Sequence, residues 1–372
     1  MNTTQKLAQL GQSIWYDNIQ RSLLDDGTLA GMIAREEIRG VTSNPTIFMN
    51  AITKTGDYDA ELLPLLAAGH SATDAFWQLA VADIRAAADL FRPLYEATGG
   101  GDGYVSLEVN PTLAEDTAAT LAEARALWRR VNRPNLMVKI PATRAGIPAI
   151  TAAIAEGINI NVTLIFARER YAEVMDAYLA GLEQRAAAGR SLDGIASVAS
   201  FFVSRVDTLV DKRLEGIIKE GGARAEAATA LLGRAAIANA RLAYADFKQF
   251  FGGERFAQLQ AQGARVQRPL WASTGTKNPA YSDVVYVDEL IGPDTVNTVP
   301  PQTLAALLDH GQAALALETQ LDQARQTLAD LEELGISMVE VTDQLEHEGV
   351  ASFADAFASL LAGVEMRRGV AA

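Results

Sequence analysis

Residues Asn135–Thr143 read NLMVKIPAT, a strand-length apolar run with one lysine inside it and a proline at its end. Met137, Val138 and Ile140 surround Lys139 with apolar side chains, so Leu136–Pro141 reads as a strand buried on both faces. Three segments of the same kind precede it: Ser13–Asp17 (SIWYD), Gly40–Asn44 (GVTSN) and Tyr104–Val109 (YVSLEV). Four follow it: Asn159–Ile165 (NINVTLI), Ile195–Val203 (IASVASFFV), Pro269–Ser273 (PLWAS) and Thr295–Val299 (TVNTV). Between them lie stretches such as Thr73–Tyr95 and Leu113–Arg130, whose apolar residues recur three and four apart as in amphipathic helices. Buried strands alternating with helices predict an α/β fold, a single (β/α)8 TIM barrel. A doubly wound sheet is the competing arrangement, but its GxGxxG marker does not follow the first strand.

Two regions exceed a minimal barrel. Val206–Gln262 reads as two long helices, broken near Gly221-Gly222 and ending near Gly252-Gly253. Gln302–Glu333 reads as one long helix or a helix pair, and Ile336–Arg368 has a further helical pattern around FADAFASLLAGVEM. No Pro/Ser/Gly-rich linker divides the chain, so these are expected to be extra outer helices of one domain spanning 1–372. Gly99–Gly103 (GGGDG) is the sharpest loop and leads into the third strand.

The 49 % hydrophobic content supports a large core and rules out wholesale disorder. Zero cysteines exclude disulfides, thiolate metal sites and cysteine nucleophiles. Thirty-two basic against 46 acidic residues, a formal net charge of -14, argue against a broad nucleic-acid or anionic-membrane surface. The N-terminus lacks a basic segment followed by an apolar run, and no charge-free apolar stretch of about 18 residues occurs. The expectation is a soluble cytoplasmic protein without nucleic-acid or membrane partners, in which a few local cations would hold any phosphorylated substrate.

The polar residues inside the apolar strands carry the functional signal. A charge pointing into a barrel costs several kcal/mol unless it is paired or used. Six of the seven lysines fall in stretches that read as solvated helix or loop, and Lys139 does not. It is either a strand-end lysine that snorkels to solvent or an amine that reacts in its neutral form to give a Schiff base. Glu108 stands alone in VSLEVNP, Asp17 ends SIWYD, Asn44 ends GVTSN, and Asn161 and Thr163 interrupt NINVTLIF. In parallel strands these residues gather near the carboxyl ends, where barrel active sites are built. A neutral lysine, a carboxylic acid and a hydroxyl that positions water are what carbinolamine formation and dehydration require.

The three histidines, His70, His310 and His347, show no ligand spacing, so no metal site is predicted, although spacing alone leaves an oxygen-only Mg²⁺ site open. Two features suit an anion. Arg205 follows SFFV, where it binds an anion, pairs with Asp207 or Asp211, or faces water at a helix start. The run after the seventh candidate strand offers Ser273, Thr274, Gly275, Thr276 and Lys277, and late loops often hold phosphate in barrels.

Taken in order, GVTSNPTIF (40–48), VSLEVNP (105–111), MVKIPATRAGIPAI (137–150), INVTLIF (160–166), SVASFFVSRVD (197–207) and PLWASTGTKNPAYSD (269–283) resemble the motifs of the transaldolase family. The resemblance spans nearly the whole chain and is closest to the longer bacterial subgroup. It implies a circularly permuted class I aldolase barrel with the reactive lysine on the fourth strand, where Lys139 falls, and no cofactor. It further implies that Lys139 forms the Schiff base and that Asp17 exchanges a proton with the C4 hydroxyl. Glu108 with Thr163 would hold the shuttling water. Asn44 and Asn161 would bind the retained dihydroxyacetone unit, and Ser200 and Arg205 the phosphate. Where short family members have ASFR, this chain has ASTGTK, so Lys277, beside Ser273, is taken to replace the arginine. The implied reaction moves dihydroxyacetone from sedoheptulose 7-phosphate to glyceraldehyde 3-phosphate in the pentose phosphate pathway. An aldolase releasing free dihydroxyacetone and a non-catalytic sugar-phosphate-binding barrel are the rival readings. Monomer and homodimer both remain open.

Overall fold

The computed structural model describes residues 1–371. Seven parallel strands form one curled sheet: β1 (Gln12–Tyr16), β2 (Val105–Glu108), β3 (Leu136–Pro141), β4 (Ile160–Ile165), β5 (Ser197–Phe202), β6 (Arg268–Ala272) and β7 (Thr295–Val299). They are ordered β1-β7-β6-β5-β4-β3-β2, so helical crossovers link neighbours as in a TIM-barrel-like α/β fold. The expected strand Gly40–Asn44 is not a strand of that sheet. Only Val41 bridges, in parallel, to Tyr16 at one sheet edge and to Val105 at the other. The segment is short because Asn44 already caps the helix Pro45–Thr53, accepting from Ile47 N at 3.0 Å, with Pro45 at its first position. Gly40 is required where it stands, since a Cβ would lie 2.7 Å from the Trp15 ring.

The expected pair of helices over Val206–Gln262 is four: Ser204–Glu220, Ala223–Leu231, Ala235–Phe251 and Glu254–Gln260. The predicted breaks at Gly221-Gly222 and Gly252-Gly253 are present, and a further one follows Leu231, with Gly233 at φ 69°. Gln302–Glu333 is a pair, Pro301–His310 and Leu321–Glu333.

The last helix, Met338–Ala371, is the longest at 34 residues. Its most apolar 18-residue window has a mean hydropathy of 1.3, enough by length and composition to cross a membrane. Phe353, Phe357, Leu360 and Val364 are nevertheless buried in the protein core, with Phe357 meeting Phe76 edge-on at 5.5 Å. Arg367 donates twice to Asp59, at 2.7 and 2.8 Å, and Arg170 approaches Glu346 at 3.5 Å. These pairs hold both halves of the helix against the barrel.

The amino-terminal end of the sheet holds an open cavity of about 850 Å³, lined by Ser13, Trp15, Arg39, Asp102, Met137 and Arg268 among others. Its charges are compensated. Buried Asp102 accepts from Trp15 Nε1 at 2.9 Å, from Arg39 Nε at 2.8 Å and from the Ser13 hydroxyl. Arg268 donates to Ser13 Oγ at 2.8 Å and to Thr295 O at 2.6 Å. This end is a polar plug, and none of the expected site residues lies in it. Asp102→Ala strands a buried indole N–H and the Arg39 guanidinium, so we expect a loss of about 2–3 kcal/mol in urea denaturation, with kcat unchanged. An unaltered midpoint would show that the plug carries no stability.

Candidate active site

Strand register brings the candidate residues together at the opposite end. Glu108 on β2 pairs with Lys139 on β3, and Lys139 pairs with Asn161 on β4. Lys139 does not snorkel: it is 5 % exposed, and its Nζ donates to Ser43 O at 3.0 Å. Glu108 Oε2 lies 3.2 Å from that Nζ, close enough for an ion pair but without hydrogen-bond alignment. Burial pushes the Glu108 carboxyl up, and the neighbouring Lys139 charge only partly opposes it. The crossover after β3 is tight: Thr143 Oγ1 accepts from Gly146 N at 3.0 Å, and a Cβ at Gly146 would collide with Pro141 O.

Thr163 is aimed by an irregularity in β4. The register with β5 shifts between Val162 and Ile165, and Leu164 takes a left-handed φ of 60°. Such a conformation costs a non-glycine residue about 1–3 kcal/mol and recurs at active sites. Thr163 Oγ1, like Glu108 Oε2, is buried without a hydrogen-bond partner among the described residues. Two unsatisfied oxygens of this kind, on the strands that flank β3 on either side, suit a bound water.

Asp17 follows β1, its N–H donating to Val299 O at 2.9 Å. Its carboxylate accepts from Thr42 Oγ1 at 2.6 Å, and Thr42 meets Thr298 Oγ1 at the same distance. The residue keeps some exposure but is enclosed by protein. Burial raises its pKa, while the Thr42 hydrogen bond and then Lys139, Lys277 and Arg205 pull it down. Asn161 is more committed than a free substrate ligand would be. It donates to Ser106 Oγ at 3.0 Å and accepts from Ser200 Oγ at 2.7 Å, so Ser106, Asn161 and Ser200 form a chain across β2, β4 and β5. Asn44 spends one oxygen on its helix cap and stays half-buried.

Arg205 lies half-buried over the Phe202 ring at 5.4 Å, with no carboxylate within 4 Å among the described residues. It does not pair with Asp207 or Asp211. Asp207 instead accepts from Ala236 N and Tyr286 OH, each at 2.7 Å, and burial pushes it up to about 6. Asp211 accepts from Gly233 N at 2.9 Å and Tyr281 OH at 2.8 Å. These two tyrosines fasten the loop after β6 to the helix that begins at Ser204. Ser273, left-handed at φ 55°, joins the same seam through Ser204 Oγ at 3.0 Å. Lys277 is exposed on that loop without a hydrogen bond or ion pair among the described residues, yet its charge reaches Asp17. No group of three or more His, Asp or Glu side chains suited to a metal occurs among the described residues.

Four contributors carried no usable sequence signal. Thr42 and Ser43 act through a segment that barely joins the sheet, Ser43 by a main-chain carbonyl. Phe353 lies with its ring 6.0 Å from Lys139 Nζ, and Glu348 contributes a charge facing Arg205. Both belong to the last helix, and only the Phe353/Phe357 spacing in FADAF hinted at a packed face.

Residues 14–364 match the family model described as transaldolase/fructose-6-phosphate aldolase. A Streptomyces avermitilis protein named transaldolase 1 is 53 % identical, covering 98 % of this chain and 96 % of that protein. Transaldolases of Thermobifida fusca and Trichodesmium erythraeum are 54 % and 46 % identical, covering 96 % and 97 % of this chain and 96 % of each relative. The chain belongs to the transaldolase/fructose-6-phosphate aldolase family.

Proposed function

We propose that this chain is a transaldolase of the pentose phosphate pathway, a transferase that moves dihydroxyacetone from sedoheptulose 7-phosphate to glyceraldehyde 3-phosphate. The products are erythrose 4-phosphate and fructose 6-phosphate. The observation that carries the reading is the buried Lys139 amine, laterally paired with Glu108 and facing Asp17 across one barrel mouth. The near-full-length relatives named transaldolase support it. On this reading the chain is one cytoplasmic domain. It is read as a permuted eight-stranded barrel when the isolated bridge at Val41 is counted as a second strand, and Lys139 as lying on the fourth.

The mechanism follows from the side chains. Neutral Lys139 adds to the C2 carbonyl of the ketose. Glu108, held up by burial, gives a proton as the carbinolamine loses water, and a water between Glu108 and Thr163 relays it. The iminium draws the C3–C4 bonding electrons as the Asp17 carboxylate takes the C4 hydroxyl proton, and the aldose leaves. The C3 carbon of the resulting enamine then attacks the acceptor aldehyde, Asp17 returns its proton, and water hydrolyses the new imine. Asn44 and Asn161 hold the three-carbon unit meanwhile. Arg205 and Ser200, with Ser273 and Lys277 at the loop, take the phosphate. The lysine itself supplies the electron sink, so no cofactor is called for.

Borohydride added with fructose 6-phosphate should fix a three-carbon adduct on Lys139 in peptide mass maps, and Lys139→Ala should be inactive yet folded. An adduct on another lysine, or on none, sinks the mechanism. Asp17 must be ionised to accept a proton, and burial lifts its pKa from 3.8. The acid limb of kcat/KM should therefore lie above the ordinary carboxylate range, with activity lost as pH falls through it. A limb at or below that range would remove Asp17 from the role.

A further inference from the structure

The last helix places Phe353 against the reactive amine. The side chain is 4 % exposed and its ring centre stands 6.0 Å from Lys139 Nζ. One turn further on, Phe357 packs into an aromatic cluster with Phe76 and Trp77, at 5.5 and 6.3 Å. The helix packs closely at Gly349, where a Cβ would stand 3.0 Å from Leu164 Cδ2, the side chain of the left-handed residue beside Thr163. Phe353 is thus buried on a helix that is anchored at Phe357 and packed closely at Gly349. Carbon atoms pack at about 3.5–4.0 Å. A 6.0 Å separation between nitrogen and ring centre therefore leaves space for a single carbon layer on the amine and none for a second layer of water.

We propose that Phe353 is a specificity-determining residue that keeps bulk water from the enamine on Lys139 and so favours transfer over release. The inference rests on the Schiff-base reading above. The two fates of the enamine diverge at C3. In transfer, C3 attacks the acceptor aldehyde carbon and Asp17 protonates the alkoxide that forms. In release, C3 takes a proton from water, a second water adds to C2 of the iminium, and the carbinolamine collapses to dihydroxyacetone and the free amine. Both fates end with hydrolysis of an imine, so what the ring controls is access of a water-borne proton to C3 before the aldehyde arrives. Excluding water to protect a reactive intermediate is a recognised function of a closed site.

The test measures free dihydroxyacetone formed from fructose 6-phosphate, without acceptor and in competition with erythrose 4-phosphate, in the wild type, Phe353→Leu, Phe353→Ala and Phe357→Ala. Release relative to transfer should rise about tenfold in Phe353→Ala, corresponding to about 1.4 kcal/mol between the two barriers. Phe353→Leu, which keeps most of the bulk, should rise less, and it still reports if the alanine variant fails to fold. Phe357→Ala should lower the melting temperature and leave the partition near that of the wild type. An unchanged partition across the Phe353 series, with the borohydride adduct on Lys139 intact, overturns the inference alone. An equal rise in Phe357→Ala overturns it as well, because loosening of the helix then explains the effect. Absence of the Lys139 adduct in the wild type overturns the Schiff-base reading on which it rests.

Discussion

The interaction on which the rest depends is the burial of an amine and a carboxyl side by side, Lys139 against Glu108. Replacing such a pair by well-packed apolar residues is often neutral or stabilising, because desolvation consumes most of the Coulomb gain. Stability therefore does not explain it. A carbonyl oxygen on Ser43 and a raised carboxyl beside the amine make an environment in which protons change hands at little cost. The left-handed Leu164 and the unsatisfied Thr163 lie on β4, the strand beside Lys139, and Ser43 of the barely paired second segment accepts from the amine itself. Several local rules are broken together around this pair, as is usual of functional sites.

Most of the sheet was legible because parallel barrel strands are apolar on both faces, so one polar residue in such a run stands out. Lys139, Glu108 and Asn161 were found that way, and their register then followed from strand geometry. Gly40–Asn44 misled for a physical reason. Its composition is that of a strand, but Asn44-Pro45 starts a helix and cuts the pairing to Val41. The extra break after Leu231 depends on Asp211 receiving the Gly233 N–H, a contact between helices that periodicity cannot register. The same holds for Phe353 and Glu348. Their helix looks like any amphipathic helix until it is seen lying on the site.

The charge distribution sharpens what a net charge of -14 means. Arg205 and Lys277 have no carboxylate partner within 4 Å among the described residues, although acidic groups outnumber basic ones. Asp207 and Asp211, the acids closest to Arg205 in sequence, are occupied by tyrosines and main-chain N–H groups. The acidity of the chain thus lies mostly outside the mouth, and the cations inside it are kept unspent.

The Val41 bridge has a consequence for motion. Main-chain hydrogen bonds close that side through one short segment: Arg39 N to Ile14 O, Tyr16 N to Gly40 O and Thr42 N to Tyr16 O on one flank, and Gly103 N to Arg39 O, Val41 N to Tyr104 O and Ser106 N to Val41 O on the other. Local opening begins where the fewest such bonds must break. A seam bridged by the single residue Val41 runs past Thr42 and Ser43, the residues that touch Asp17 and Lys139. Amide exchange along this seam should respond to anything that occupies the mouth, making the backbone of the second segment a built-in reporter of occupancy.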